Sequence, residues 1–131
     1  MNKNELLHTI KENCCDIKRI GVLGTFEICK IKLHENYLKN LGQYELVYPS
    51  EDGKNNLYDA VNSLEYGIKA LSNPITRKAK RLIKEEIDKF IKNGIKCIIL
   101  GCTECYLAFA GEQYYKNVLF IDIHNDIVIE L

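Results

Sequence analysis

The chain has 131 residues, of which 47% are hydrophobic, with eighteen basic and eighteen acidic side chains that cancel to a formal net charge of zero. That length suits one compact domain with a substantial core and is short for two, so residues 1–131 are read as a single α/β domain. Balanced charge, with no basic cluster interleaved with aromatics, argues against a nucleic-acid partner. Met1 to Asp16 is polar and amphipathic, without the apolar core and small-residue cleavage site of a secretion signal, and no apolar run approaches spanning length. A cytoplasmic protein with no membrane contact is expected. Cys14, Cys15, Cys29, Cys97, Cys102 and Cys105 then read as free thiols. Cys102 and Cys105 form a C-x-x-C pair, open to redox or zinc chemistry, but no second C-x-x-C or H-x-x-x-H supplies the other two ligands, so no metal site is expected.

Taken in chain order, Leu6, Leu7, Ile10 and Cys14 have helical spacing. Arg19 to Leu23 reads as a buried strand closed by Gly24-Thr25, and the apolar positions from Ile28 to Leu41 fit a helix that Gly42 ends. Tyr44 to Tyr48 is a second strand, stopped by Pro49. Ser50 to Lys54 reads as a polar turn, and Leu57, Val61, Leu64, Ile68 and Leu71 mark the helix after it. Pro74 is placed to open the next helix, whose inner side carries Ala79, Leu82, Ile83, Ile87, Phe90 and Ile91. The charges of that helix, Arg77, Lys78, Lys80, Arg81, Lys84, Glu85 and Glu86, read as a solvated face, and Asn93-Gly94 ends it. Lys96 to Leu100 is the third strand and Val118 to Ile121 the fourth. Beyond Asp122 there is room for a short helix at most.

Strands separated by helices imply parallel pairing through right-handed crossovers. The expected architecture is a three-layer αβα sandwich with a four-stranded parallel sheet in the flavodoxin-like order 2-1-3-4. In that order strands one and three are neighbours, and ligands bind outside their carboxyl ends, where their connections diverge. Those ends are Gly24-Thr25 and Gly101-Cys102-Thr103-Glu104. A helix starting at Thr103 or Glu104 would lower the thiol pKa of Cys102 and favour a bound anion, which leaves nucleophile, base and anion site all open. Cys102 as a small filler of the strand end is the plain structural alternative.

At these residues the chain resembles the aspartate/glutamate racemase superfamily. Arg19-Ile-Gly-Val-Leu-Gly-Thr25 is similar to the strand-and-GT opening of the family's second lobe, and Gly101-Cys-Thr-Glu104 to its G-C-T-E signature. Val47-Tyr-Pro-Ser-Glu51 resembles its V-x-P-D/E strand end, and Asn56-Leu-Tyr58 followed by Gly67 its N-x-I-Y...G helix. The resemblance implies a cofactor-independent enzyme, needing no pyridoxal phosphate, in which two lobes place one acid/base cysteine on each side of the substrate's α-carbon. It makes Cys102 the second-lobe cysteine and puts Thr103 and Glu104 in the adjoining pocket. Thr25 would help hold the carboxylate of an amino-acid or dicarboxylate substrate, or else cap the following helix.

Two departures stand out. Ile28 occupies the place where the family often has a second threonine, removing a hydroxyl from the pocket. The resemblance also aligns Met1 with the start of the second lobe, so the first-lobe cysteine and its P-C-N-T-like loop are expected from elsewhere, through a homo-oligomer or a complementary racemase lobe. Cys29 is expected to lie in a helix of the same lobe and to miss the opposite face of the substrate. His34 and His124 read as surface or capping histidines, and Asp122 as lining the crevice or capping a helix. The alternative function is a catalytically inactive racemase-like lobe or carboxylate-binding module, and a thiol redox protein using Cys102 and Cys105 is a third.

Overall fold

The computed structural model describes residues 8, 18–23, 45–71, 74–101, 103–110, 113–115, 117–122 and 127–129. Of the helix expected around 5–14 only His8 is described, and it is helical; the helix expected around 28–41, and with it Cys14, Cys15, Cys29 and His34, lies outside the described residues. The described elements are β1 (Arg19–Leu23), β2 (Glu45–Val47), α1 (Glu51–Asn62), α2 (Arg77–Lys92), β3 (Cys97–Leu100), 3-10 helices at Thr103–Ala108 and Gln113–Tyr115, β4 (Leu119–Asp122) and β5 (Ile127–Ile129).

β1 runs parallel to β2 on one side and to β3 on the other, and β3 runs parallel to β4, giving the expected order 2-1-3-4. One face packs Leu23, Ile98, Leu100 and Phe120 against Leu57, Val61, Ile83 and Ile87 of the two helices. Ile20, Val22, Cys97, Ile99 and Ile121 are fully buried as well, and they alternate with the first set along the strands. A sheet dry on both faces is what near-continuous aliphatic strands require. Gly21 lets the ring of Phe90 lie flat on β1, since a Cβ there would sit 3.1 Å from Phe90 Cγ.

Several boundaries differ from the sequence expectation. Ser50 to Lys54 is no free turn: Ser50 is the N-cap of α1, its Oγ accepting the Gly53 N–H at 3.1 Å, with Glu51 and Asp52 in the first turn. α1 stops at Asn62 instead of running to Leu71. Ser63 Oγ accepts from the Glu65 and Tyr66 N–H groups, a local competition that unwinds the helix. Gly67 then folds back so closely that a Cβ would lie 2.5 Å from Ser63 N, so its role is close approach and not helix formation. Ile68 is buried beyond this turn while Leu64 is 92% exposed, which explains how an apolar period continued without a helix beneath it.

Pro74 lies in a turn, and Thr76 caps α2 by accepting the Ala79 N–H at 3.2 Å while donating to Tyr66 O at 2.6 Å. Gly94, at φ +79°, receives the end of α2 in the left-handed conformation, as Asn93-Gly94 predicts. The short helix expected after Asp122 is instead β5, which adds an antiparallel edge with Phe120 opposite Ile129 and Asp122 opposite Ile127. Its Ile-Val-Ile run suits a strand, and the free edge of β4 supplies the partner. Glu86 is not on the solvated face: it is 2% exposed and ion-paired to Lys89, with Nζ 2.8 Å from Oε2.

Candidate active site at the carboxyl edge of the sheet

β1 and β3 end level with each other, Leu23 opposite Leu100. The next peptide ties them together: the Gly101 N–H donates to Leu23 O at 2.8 Å. Leu23, which precedes Gly24-Thr25 in the chain, and Gly101, which precedes Cys102-Thr103-Glu104, are therefore neighbours at this edge. Cys102 and Thr25 themselves lie outside the described residues, as does the side chain of Thr103. Glu104 is half-buried in the 3-10 helix and has interaction partners.

The turn that starts at Thr103 is a six-residue 3-10 helix. A 3-10 helix of this length aligns fewer peptide dipoles than an α-helix of several turns. This short helix packs on α2 and buries Cys105 and Ala108. Phe109 follows it and stacks on Phe120 at 4.2 Å, with Tyr106 edge-on at 5.5 Å. Cys105 is 1% exposed in this core and, like the strand residue Cys97, forms no disulfide. Both pack as small apolar groups.

Asp122 closes β4 directly beside this edge. It is in register with Leu100 and only 4% exposed, with partners of its own. Its place in a strand, paired also with Ile127, sets aside the helix-cap reading. Among the described residues, no group of three or more His, Cys, Asp or Glu side chains is arranged to hold a metal ion, and no helix is long and apolar enough to cross a membrane.

A sheet with parallel strands in the order 2-1-3-4, packed against α1 and α2, defines the structural class. Within it, the chain belongs to the Asp/Glu/hydantoin racemase family, whose profile matches residues 4–123. A comparison with curated protein sequences finds no match. Among solved structures, the chain is similar to a Yersinia pestis protein assigned as an Asp/Glu racemase, at 20% identity and a TM-score of 0.68, over 92% of this chain and 48% of that one. It is also similar to an aspartate racemase homologue from Pyrococcus horikoshii, at 21% identity and a TM-score of 0.62, over the same shares of the two chains. These likenesses establish the fold, and the chain spans about half the length of the structures it matches.

Proposed function

We propose that this chain is one lobe of a cofactor-independent amino-acid racemase of the aspartate/glutamate type. Cys102 is its acid/base group, and Thr25, Thr103 and Glu104 line the substrate pocket. The hydrogen bond from Gly101 to Leu23 O carries the reading, because it joins the strand end before Gly24-Thr25 to the first residue of Gly-Cys-Thr-Glu. Family membership over residues 4–123 supports the reaction class.

In the proposed reaction a thiolate takes the substrate's α-proton and a thiol on the opposite face returns one to the planar carbanion. Roles exchange in the reverse direction, so two bases are needed, one per face. Cys102 supplies one. The other is proposed to come from a second lobe, whether of a second copy, a complementary chain or the same polypeptide; the chain itself spans 48% of each solved relative. A symmetric dimer suits a reaction whose two directions are chemically alike.

The test is exchange of the α-proton of aspartate and glutamate into deuterated water, followed by proton NMR, together with the oligomeric state. Exchange that disappears in Cys102→Ala is expected. No exchange by the oligomer, with Cys102 of ordinary thiol reactivity and unprotected by either amino acid, would leave the inactive carboxylate-binding lobe as the better account.

A further inference from the structure

Between the carboxyl end of β2 and the second half of α2 lies a cavity of about 230 Å³, lined by Val47, Pro49 and Phe90 together with Ser50, Glu86 and Lys89. Glu86 is its unusual member. Its side chain is 2% exposed, and Oε2 accepts the Lys89 ammonium at 2.8 Å. Oε1 accepts no hydrogen bond from any described residue and lies against the Gly53 Cα, where any Cβ would collide with it. A buried carboxylate oxygen left without a donor is costly, so such atoms ordinarily face water or a ligand.

The electrostatic complement of a fixed ion pair is a second pair lying head to tail beside it. Lys89 Nζ spends one of its three donors on Glu86, and the side chain, 58% exposed, has room to turn toward a second anion. The volume is several times the roughly 30 Å³ that one liquid water molecule occupies, yet below the range of about 300–1,000 Å³ of drug-sized pockets. From these observations we infer that the cavity is a binding site for a small α-amino-acid zwitterion, its ammonium on Glu86 Oε1 and its carboxylate on Lys89. Val47, Pro49 and Phe90 take the Cα and a short side chain. The site uses none of Cys102, Thr25, Thr103 and Glu104, so it stands whether or not the chain racemises anything.

The experiment is titration of the isotopically labelled full chain with glycine, alanine, propionate and ethylammonium, reading amide shifts of Val47, Tyr48, Ser50, Phe90 and Asn93. Saturable shifts with glycine and alanine are expected, with propionate and ethylammonium at least about tenfold weaker because each lacks one charge-assisted contact. Glu86→Gln and Lys89→Met should each weaken alanine about tenfold, while Cys102→Ala leaves it unchanged. Since Glu86→Gln alters a buried pair, Lys89→Met at an exposed ammonium decides the matter if the first variant is unfolded. Absent shifts, which mean water alone fills the cavity, equal shifts with propionate, or binding that survives Lys89→Met would each overturn the inference. Loss of α-proton exchange with these shifts intact would sink only the racemase proposal.

Discussion

The Gly101 N–H donates to the Leu23 carbonyl at 2.8 Å, one residue beyond the last pair of the β1–β3 ladder. Two segments 78 positions apart, counted from 101 back to 23, are thereby joined where each strand gives way to its polar loop. A backbone bond at this place does more than extend a sheet. It holds the start of the Gly-Thr loop and the start of the Gly-Cys-Thr-Glu loop at a fixed separation, which any chemistry shared between them needs.

Replacing Gly101 with proline removes that N–H and orphans a buried acceptor. A loss of about 1–3 kcal/mol is expected in urea unfolding. Reactivity of Cys102 toward a thiol reagent should change along with it, because the peptide that delivers Cys102 is no longer tied to β1. A variant with unaltered stability and thiol kinetics would show that the bond contributes nothing to the edge.

At Gly53 the usual rule for helices reverses. Glycine to alanine inside a helix ordinarily stabilises by roughly 0.5–1 kcal/mol. Here the added methyl meets Glu86 Oε1 with Pro49 Cβ at 3.1 Å behind it, so Gly53→Ala should cost about 1–3 kcal/mol of overpacking. Combined with Glu86→Ala the clash disappears, and the double variant should be more stable than the sum of the two single effects, as thermal melts of the four proteins would reveal.

The Lys89 ammonium is held above the ordinary lysine value, first by its hydrogen bond to Glu86 and then by the charges of Glu86, Glu85 and Asp52, with burial opposing. A raised folded-state pKa means that folding favours the protonated form. Its contribution is fully present below the unfolded lysine value of about 10.4 and is lost as pH rises through the folded one. Melting temperature against pH should therefore fall in that alkaline window, and Lys89→Met should flatten this part of the curve. The effect is small, because the ammonium is more than half exposed to solvent.

Tyr115 is fully buried, and its hydroxyl donates to Asp88 Oδ1 of α2 at 3.0 Å from within the cluster of Phe109 and Phe120. Tyr115→Phe keeps the rings and deletes the donor. A destabilisation of about 1.5–3 kcal/mol is expected for a bond to a charged acceptor, read from equilibrium unfolding. A neutral outcome would mean that Asp88 finds water or another donor at no cost.

Much of the framework was legible in the residues. Arg19 to Leu23 and Cys97 to Leu100 are runs that only a strand dry on both faces explains, and strand–helix alternation forces parallel order. Asn93-Gly94 ended α2 as written, because a left-handed C-terminal residue is a local matter. The candidate site was legible as two short segments at strand ends. Their adjacency followed from topology, and the hydrogen bond between Gly101 and Leu23 gives it a distance.

What composition and period could not decide is whatever depends on a partner distant in sequence. Glu86 looks like its neighbours Lys84 and Glu85 along the chain, and only the arrival of Gly53 on it makes it a buried charge. The Leu64, Ile68, Leu71 spacing persists past the end of α1 because Ser63 and Gly67 substitute a tight turn for the helix. Ile127 to Ile129 becomes a strand because β4 offers a free edge, a fact about the sheet and not about those three residues. Local chemistry, then, set the strands, the caps and the Gly-Cys-Thr-Glu loop. Tertiary contact alone chose which charge is buried and which edge is extended, since each of those is settled by what packs against a residue.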